Sequence, residues 1–123
     1  AFTADSVPPV VVATEPVSGA RGVPPGEMEI RVTFSKAMAD GSWSWSSAWA
    51  DSVPAELGGP SYDEARRTCS VRARLEPGRT YAFWINSAKY QNFADADGRP
   101  AVPYLLIFET AAENPSVERK VPP

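Results

Sequence analysis

Apolar and polar residues alternate with a period of two through most of this chain. Met28, Ile30, Val32 and Phe34 are interleaved with Glu27, Glu29, Arg31 and Thr33, which predicts a strand with one buried and one solvated face. Cys69, Val71, Ala73 and Leu75 alternate in the same way with Thr68, Ser70, Arg72 and Arg74. Tyr81, Phe83 and Ile85 alternate with Ala82, Trp84 and Asn86, and Tyr104, Leu106, Phe108 and Thr110 with Leu105, Ile107 and Glu109. In the Ser-rich segment 42–46, Trp43 and Trp45 share one face while Ser42, Ser44 and Ser46 share the other, and residues 10–13 supply a first strand. Turn-forming residues separate these runs: Pro24-Pro25-Gly26, Asp40-Gly41, Gly58-Gly59-Pro60, Pro77-Gly78 and Asp97-Gly98. Short strands so punctuated predict an all-β antiparallel sandwich or barrel. The inward positions predict a core of Met28, Ile30, Val32, Phe34, Trp43, Trp45, Val71, Leu75, Tyr81, Phe83, Ile85, Leu106 and Phe108.

Composition narrows the function classes. A chain of 123 residues has room for one ordinary domain, and 43% hydrophobic with 22% charged residues suits a globular one. Residues 1–9 and 111–123 are polar and Pro-bearing and read as tails or linkers around a body over 10–110. The apolar runs fall far short of the roughly 20 residues that cross a bilayer, so no membrane insertion is expected. No export signal opens the chain; one is expected to be absent or already removed. A net charge of −3 argues against a nucleic-acid partner. The chain has no His, the commonest general base and zinc ligand, and its one cysteine, Cys69, allows no internal disulfide. Its three lysines, Lys36, Lys89 and Lys120, stand in no Ser-x-x-Lys context. No catalytic residue is assigned, and no enzyme is expected.

Two details point to an immunoglobulin-like sandwich of about seven strands. Such folds place a large core Trp in the third strand, where Trp43 and Trp45 fall. The run from Leu75 to Tyr81 reads as a tyrosine corner, with Tyr81 bonding back to the backbone of the preceding turn. Four stretches stand in order along these strands: Val12-Ala13-Thr14-Glu15-Pro16-Val17-Ser18-Gly19-Ala20, Val32-Thr33-Phe34-Ser35-Lys36-Ala37-Met38, the turn over residues 92–101, and Ile107-Phe108-Glu109-Thr110. In them the sequence resembles the bacterial Ig-like domain family named after S-layer proteins: they look like its opening, its V-x-F-S-x-x-M segment, its F-x-D-x-x-G-x-x turn and its closing F-x-T strand. The resemblance implies an exported or envelope-anchored bacterial protein in which such domains serve as spacers or interaction modules without catalytic residues.

Several features are candidates for binding. Trp84, Leu105 and Ile107 share the outward face of neighbouring strands and form an apolar stripe, either an interface or a surface covered by residues 87–102 or a tail. Asn92, Asp95 and Asp97 gather oxygens suited to calcium, the one cofactor in view. The alternative is a tight turn in which Gly98 takes positive φ and Asp97 bonds its own backbone. Trp43, Trp45, Trp49, Trp84 and Tyr90 are the aromatic residues that sugars would stack on. Glu29 and Arg31 point outward on one strand and Arg72 and Arg74 on its neighbour, so cross-strand Glu–Arg pairing is expected, a solubility feature rather than a site. The expected partners are a protein or neighbouring domains of a longer chain, with a homo-oligomer as the alternative. A self-assembling surface subunit, using the stripe or N-terminal strand addition, and a calcium- or carbohydrate-dependent adhesin are the competing functions.

Overall fold

The computed structural model describes residues 3, 4 and 6–112. Eight strands form: β1 (Val11–Glu15), β2 (Gly26–Phe34), β3 (Trp45–Ser47), β4 (Ala55–Glu56), β5 (Ser61–Tyr62), β6 (Thr68–Leu75), β7 (Thr80–Ile85) and β8 (Tyr104–Glu109). One antiparallel sheet runs β1-β2-β6-β4, with β5 also on β6; the other runs β3-β7-β8. The alternating segments became the long strands because each can bury one face against the other sheet.

The two shortest strands were not visible in the periodicity. Ala55 and Glu56 sit opposite Arg74 and Ala73, and Ser61 and Tyr62 opposite Ser70 and Cys69. They are one edge strand laid end to end along β6, interrupted where Gly58, Gly59 and Pro60 cannot sustain a ladder. The Ser-rich segment enters the sheet only at Trp45, later than the alternation predicts.

Ile30, Val32 and Phe34 of β2 meet Val71 and Leu75 of β6 and Tyr81, Phe83, Ile85, Leu106 and Phe108 of β7 and β8, all buried. Met28, Trp43 and Trp45 are half-buried and pack on the margin of this core. The connection from β7 to β8, which the sequence presents as a long loop, supplies core as well. Phe93 is fully buried, with its ring 5.1 Å from Phe34 and 5.6 Å from Trp45. The connection folds as a small hairpin: Ala101 N–H donates to Phe93 O, Asp95 N–H to Arg99 O, and Ala39 N–H to Ala94 O.

The tyrosine corner is formed, with Glu76 N–H donating to Tyr81 Oη at 2.8 Å. Residues 18–23 run along the outer edge of β8. Gly19 N–H donates to Ile107 O, Glu109 N–H to Ala20 O, and Val23 N–H to Glu109 O. The stretch before β1 is bound to the body: Val7 O accepts from Lys36 Nζ and Pro9 O from Val102 N–H. Residues 113–123, which include most of the C-terminal tail, lie outside the described residues.

Candidate functional site

Three places hold the side chains that the sequence singles out. The first is the turn of the β7–β8 connection. Asp95 is buried, and its carboxylate lies 2.6 Å from Lys36 Nζ and 3.1 Å from the Arg99 guanidinium. Its Oδ1 also accepts from the main-chain N–H groups of Asp97 and Arg99. Burial by itself raises the carboxyl pKa, but hydrogen bonds from Lys36 and from the Arg99 main chain and side chain outweigh it, holding the group well below the usual carboxylate range. Asp97 is solvated and shares Arg99 with it. Gly98 takes φ +86°, the left-handed turn position, but Asp95 rather than Asp97 makes the side-chain-to-backbone bonds of the turn. Asn92 sits apart from this network, its main chain held by Ser42 and Ser44. A calcium ion bound to Asp95 would have to displace the Lys36 ammonium. Among the described residues, no group of three or more His, Cys, Asp or Glu is placed to hold a metal ion.

The second place is the outward face of the β3-β7-β8 sheet. Trp84 lies opposite Ser46 and Leu105 in the two ladders, and Ala82 opposite Ile107. Trp84, Leu105 and Ile107 are half-buried. Residues 18–20 flank the stripe: Ser18 Oγ donates to Leu105 O and accepts from Ile107 N–H. Ala82, on the same face, is fully buried beneath the bend that follows β3, where Ser52 Oγ donates to Ala82 O.

The third place is the flank where β3 faces β4 and β5. A cleft of about 310 Å³ opens here, lined by Trp43, Trp45, Tyr90, Pro60 and Glu56 among others. Three of the five aromatic side chains considered for stacking therefore meet in one place. Trp84 is on the outward face of its sheet, and Trp49, 46% exposed, follows the end of β3. The sequence pattern missed this cleft because its far wall comes from the interrupted edge strand. Behind it, Cys69 is fully buried. Burial pushes its thiol up to about 12. A thiol so protonated is no nucleophile.

The family model for the bacterial Ig-like domain matches residues 5–110, nearly the whole described chain. The chain is a bacterial Ig-like domain. No curated protein matches it. Ig-like domains of this family are generally non-enzymatic modules. Arg31 pairs with Glu15 and Glu29, and Glu27 with Arg72 and Arg74. Glu15–Arg31 and Glu27–Arg74 are directly opposed in the ladders and Glu27–Arg72 is diagonal, while Glu29 bonds along its own strand to Arg31 instead of across to Arg72, its register partner. The Arg side chains are thus committed to holding neighbouring strands together.

Proposed function

We propose that this Ig-like domain is a non-catalytic structural and interaction module of an exported bacterial protein, acting through contact with other polypeptides. One observation carries this reading. The buried ionisable cluster is closed on itself, while exposed apolar side chains gather beside an open sheet edge. Trp49, Val53, Leu57 and Tyr90 are all exposed; the first three belong to segments flanking β3 and β4, and Tyr90, from the β7–β8 connection, lines the cleft beside Trp45. Domains of the family typically occur in surface or extracellular bacterial proteins, which supports the assignment to an exported chain.

Light scattering coupled to size exclusion, over a hundredfold range of concentration, tests it. A constant mass near 13.3 kDa is expected of a module that serves foreign partners or neighbouring domains. A mass that climbs with concentration would replace this reading with a self-assembling subunit. Donation of the N-terminal segment to a neighbour has a cost: it must break the bonds that Val7, Pro9 and Val10 make to Lys36, Val102 and Ser35.

A further inference from the structure

The β3-β7-β8 sheet treats its two edges differently. Along β8, residues 18–23 take up the outward main-chain groups. Beyond β3 no strand follows among the described residues. Asn86 N–H donates to Ser44 O, and Ala82 N–H to Ser52 O, which fixes the phase of the β3–β7 ladder. Ser46 and Trp84 form a hydrogen-bonded pair, and alternation turns the N–H and C=O of Trp45 and Ser47 away from β7. Those main-chain groups have no other partner among the described residues.

This bare edge borders a groove between the sheets. One end, about 310 Å³, is walled by Trp43, Tyr90 and Pro60; the other, about 280 Å³, by Val53, Pro54 and Phe83. Trp45 and Glu56 line both ends. Glu56 lies opposite Ala73, an inward residue, so its carboxylate stands on the groove side of β4. It has no ion-pair partner among the described residues. Bare strand edges accept added strands, with main-chain bonds supplying binding and flanking pockets supplying selectivity. An unpaired carboxylate between apolar walls selects a cation. It also disfavours a second copy of this chain, since two-fold β3 pairing would bring two Glu56 side chains to one groove.

We propose that the β3 edge receives an extended segment of another polypeptide, bearing a lysine or arginine flanked by aliphatic residues, which pairs with Trp45 and Ser47 and aims its cation at Glu56. The proposal rests on the interaction-module reading and names its partner. The test titrates the ¹⁵N-labelled domain with a blocked seven-residue peptide alternating threonine and valine around a central lysine, and with its glutamate-centred twin. The Trp45 and Ser47 amide signals are expected to move saturably, and the lysine peptide to bind about two- to fivefold more tightly. That preference disappears in Glu56→Gln. Ser47→Pro removes an edge N–H where edge strands tolerate proline, and abolishes the shifts while the remaining spectrum is retained. Should that variant not fold, Tyr90→Ala provides the same arm, with binding weakened and the fold intact.

Amides of Trp45 and Ser47 that stay still with both peptides, or equal binding of the two peptides, overturn the proposal. So does a soluble cello-oligosaccharide that moves the Trp43 and Trp45 indole signals while those amides remain fixed, since the groove is then a sugar site. Negative titrations with a constant monomer mass remove this proposal alone. A mass that climbs with concentration removes the module reading beneath it.

Discussion

Asn86 does more for this fold than its place in the sequence suggests. The alternation puts it on the solvated face at the end of a strand, yet it is fully buried. The chain leaves β7 at Ile85, and Asn86 adopts φ +59°, a left-handed conformation that Asn tolerates better than most residues. That turn swings its amide inward. Its Nδ2 donates to Phe93 O and Ala101 O, and its Oδ1 accepts from Phe93 N–H. Truncation would orphan Phe93 N–H and Ala101 O in the interior and leave Phe93 O with the Ala101 N–H alone. Asn86→Ala is therefore expected to cost about 2–4 kcal/mol in urea unfolding. Tyr81→Phe loses a single bond at the tyrosine corner and should cost about 1 kcal/mol. A ranking of the two in the opposite order would contradict this account. The corner was legible because it is a recurrent local motif with partners five residues apart; the role of Asn86 was not, because its partners, 7 and 15 residues on, are set by how the β7–β8 hairpin folds back over it.

At the scale of elements, the β7–β8 connection is where sequence reading lost most. Its turn residues announce a bend at Asp97 and Gly98, and the structure has one. Nothing in the local pattern says that Phe93 and Asp95 fill the interior, since their burial depends on Phe34, Lys36 and Met38 arriving from β2 and the segment after it. Lys36 and Arg99 clamp the hairpin to that segment through Asp95. Removing Lys36 takes the nearest cation from Asp95 but leaves it Arg99 and two main-chain N–H groups, so Lys36→Met should destabilise by about 1.5–3 kcal/mol, the worth of one charged hydrogen bond. The pH dependence follows from the same clamp. Because folding depresses the Asp95 pKa, its contribution is complete above the unfolded carboxyl value, near 4, and is lost as pH falls below it. Urea midpoints measured from pH 6 down to pH 2 should fall more steeply in the natural protein than in Asp95→Asn. Since the Asp95 oxygens are already engaged, millimolar calcium should leave the thermal midpoint unchanged; a rise of several degrees would give the turn back to the metal.

The whole molecule was the most legible level. Five period-two runs and one short apolar strand between turn-formers can bury their inward faces in few ways, and the two-sheet sandwich follows from that. What the pattern lacked was the treatment of the sheet edges, because two-residue strands have no period to detect. Among the described residues, β8 is closed by residues 18–23, while no strand follows beyond β3.

Cys69 gives this architecture a clock. Its sulfur is sealed on the inward side of β6, between sheets that must separate before a reagent arrives, and its proton is held far above neutral pH. Alkylation by iodoacetamide therefore counts openings of the sandwich. Its rate should rise with urea along the same slope as global unfolding rather than stay flat, as it would for a fraying edge. The lone thiol thus serves as a built-in stopwatch: it stays silent while the sheets are together, and its labelling half-life reads how often the two halves of the core let go of each other.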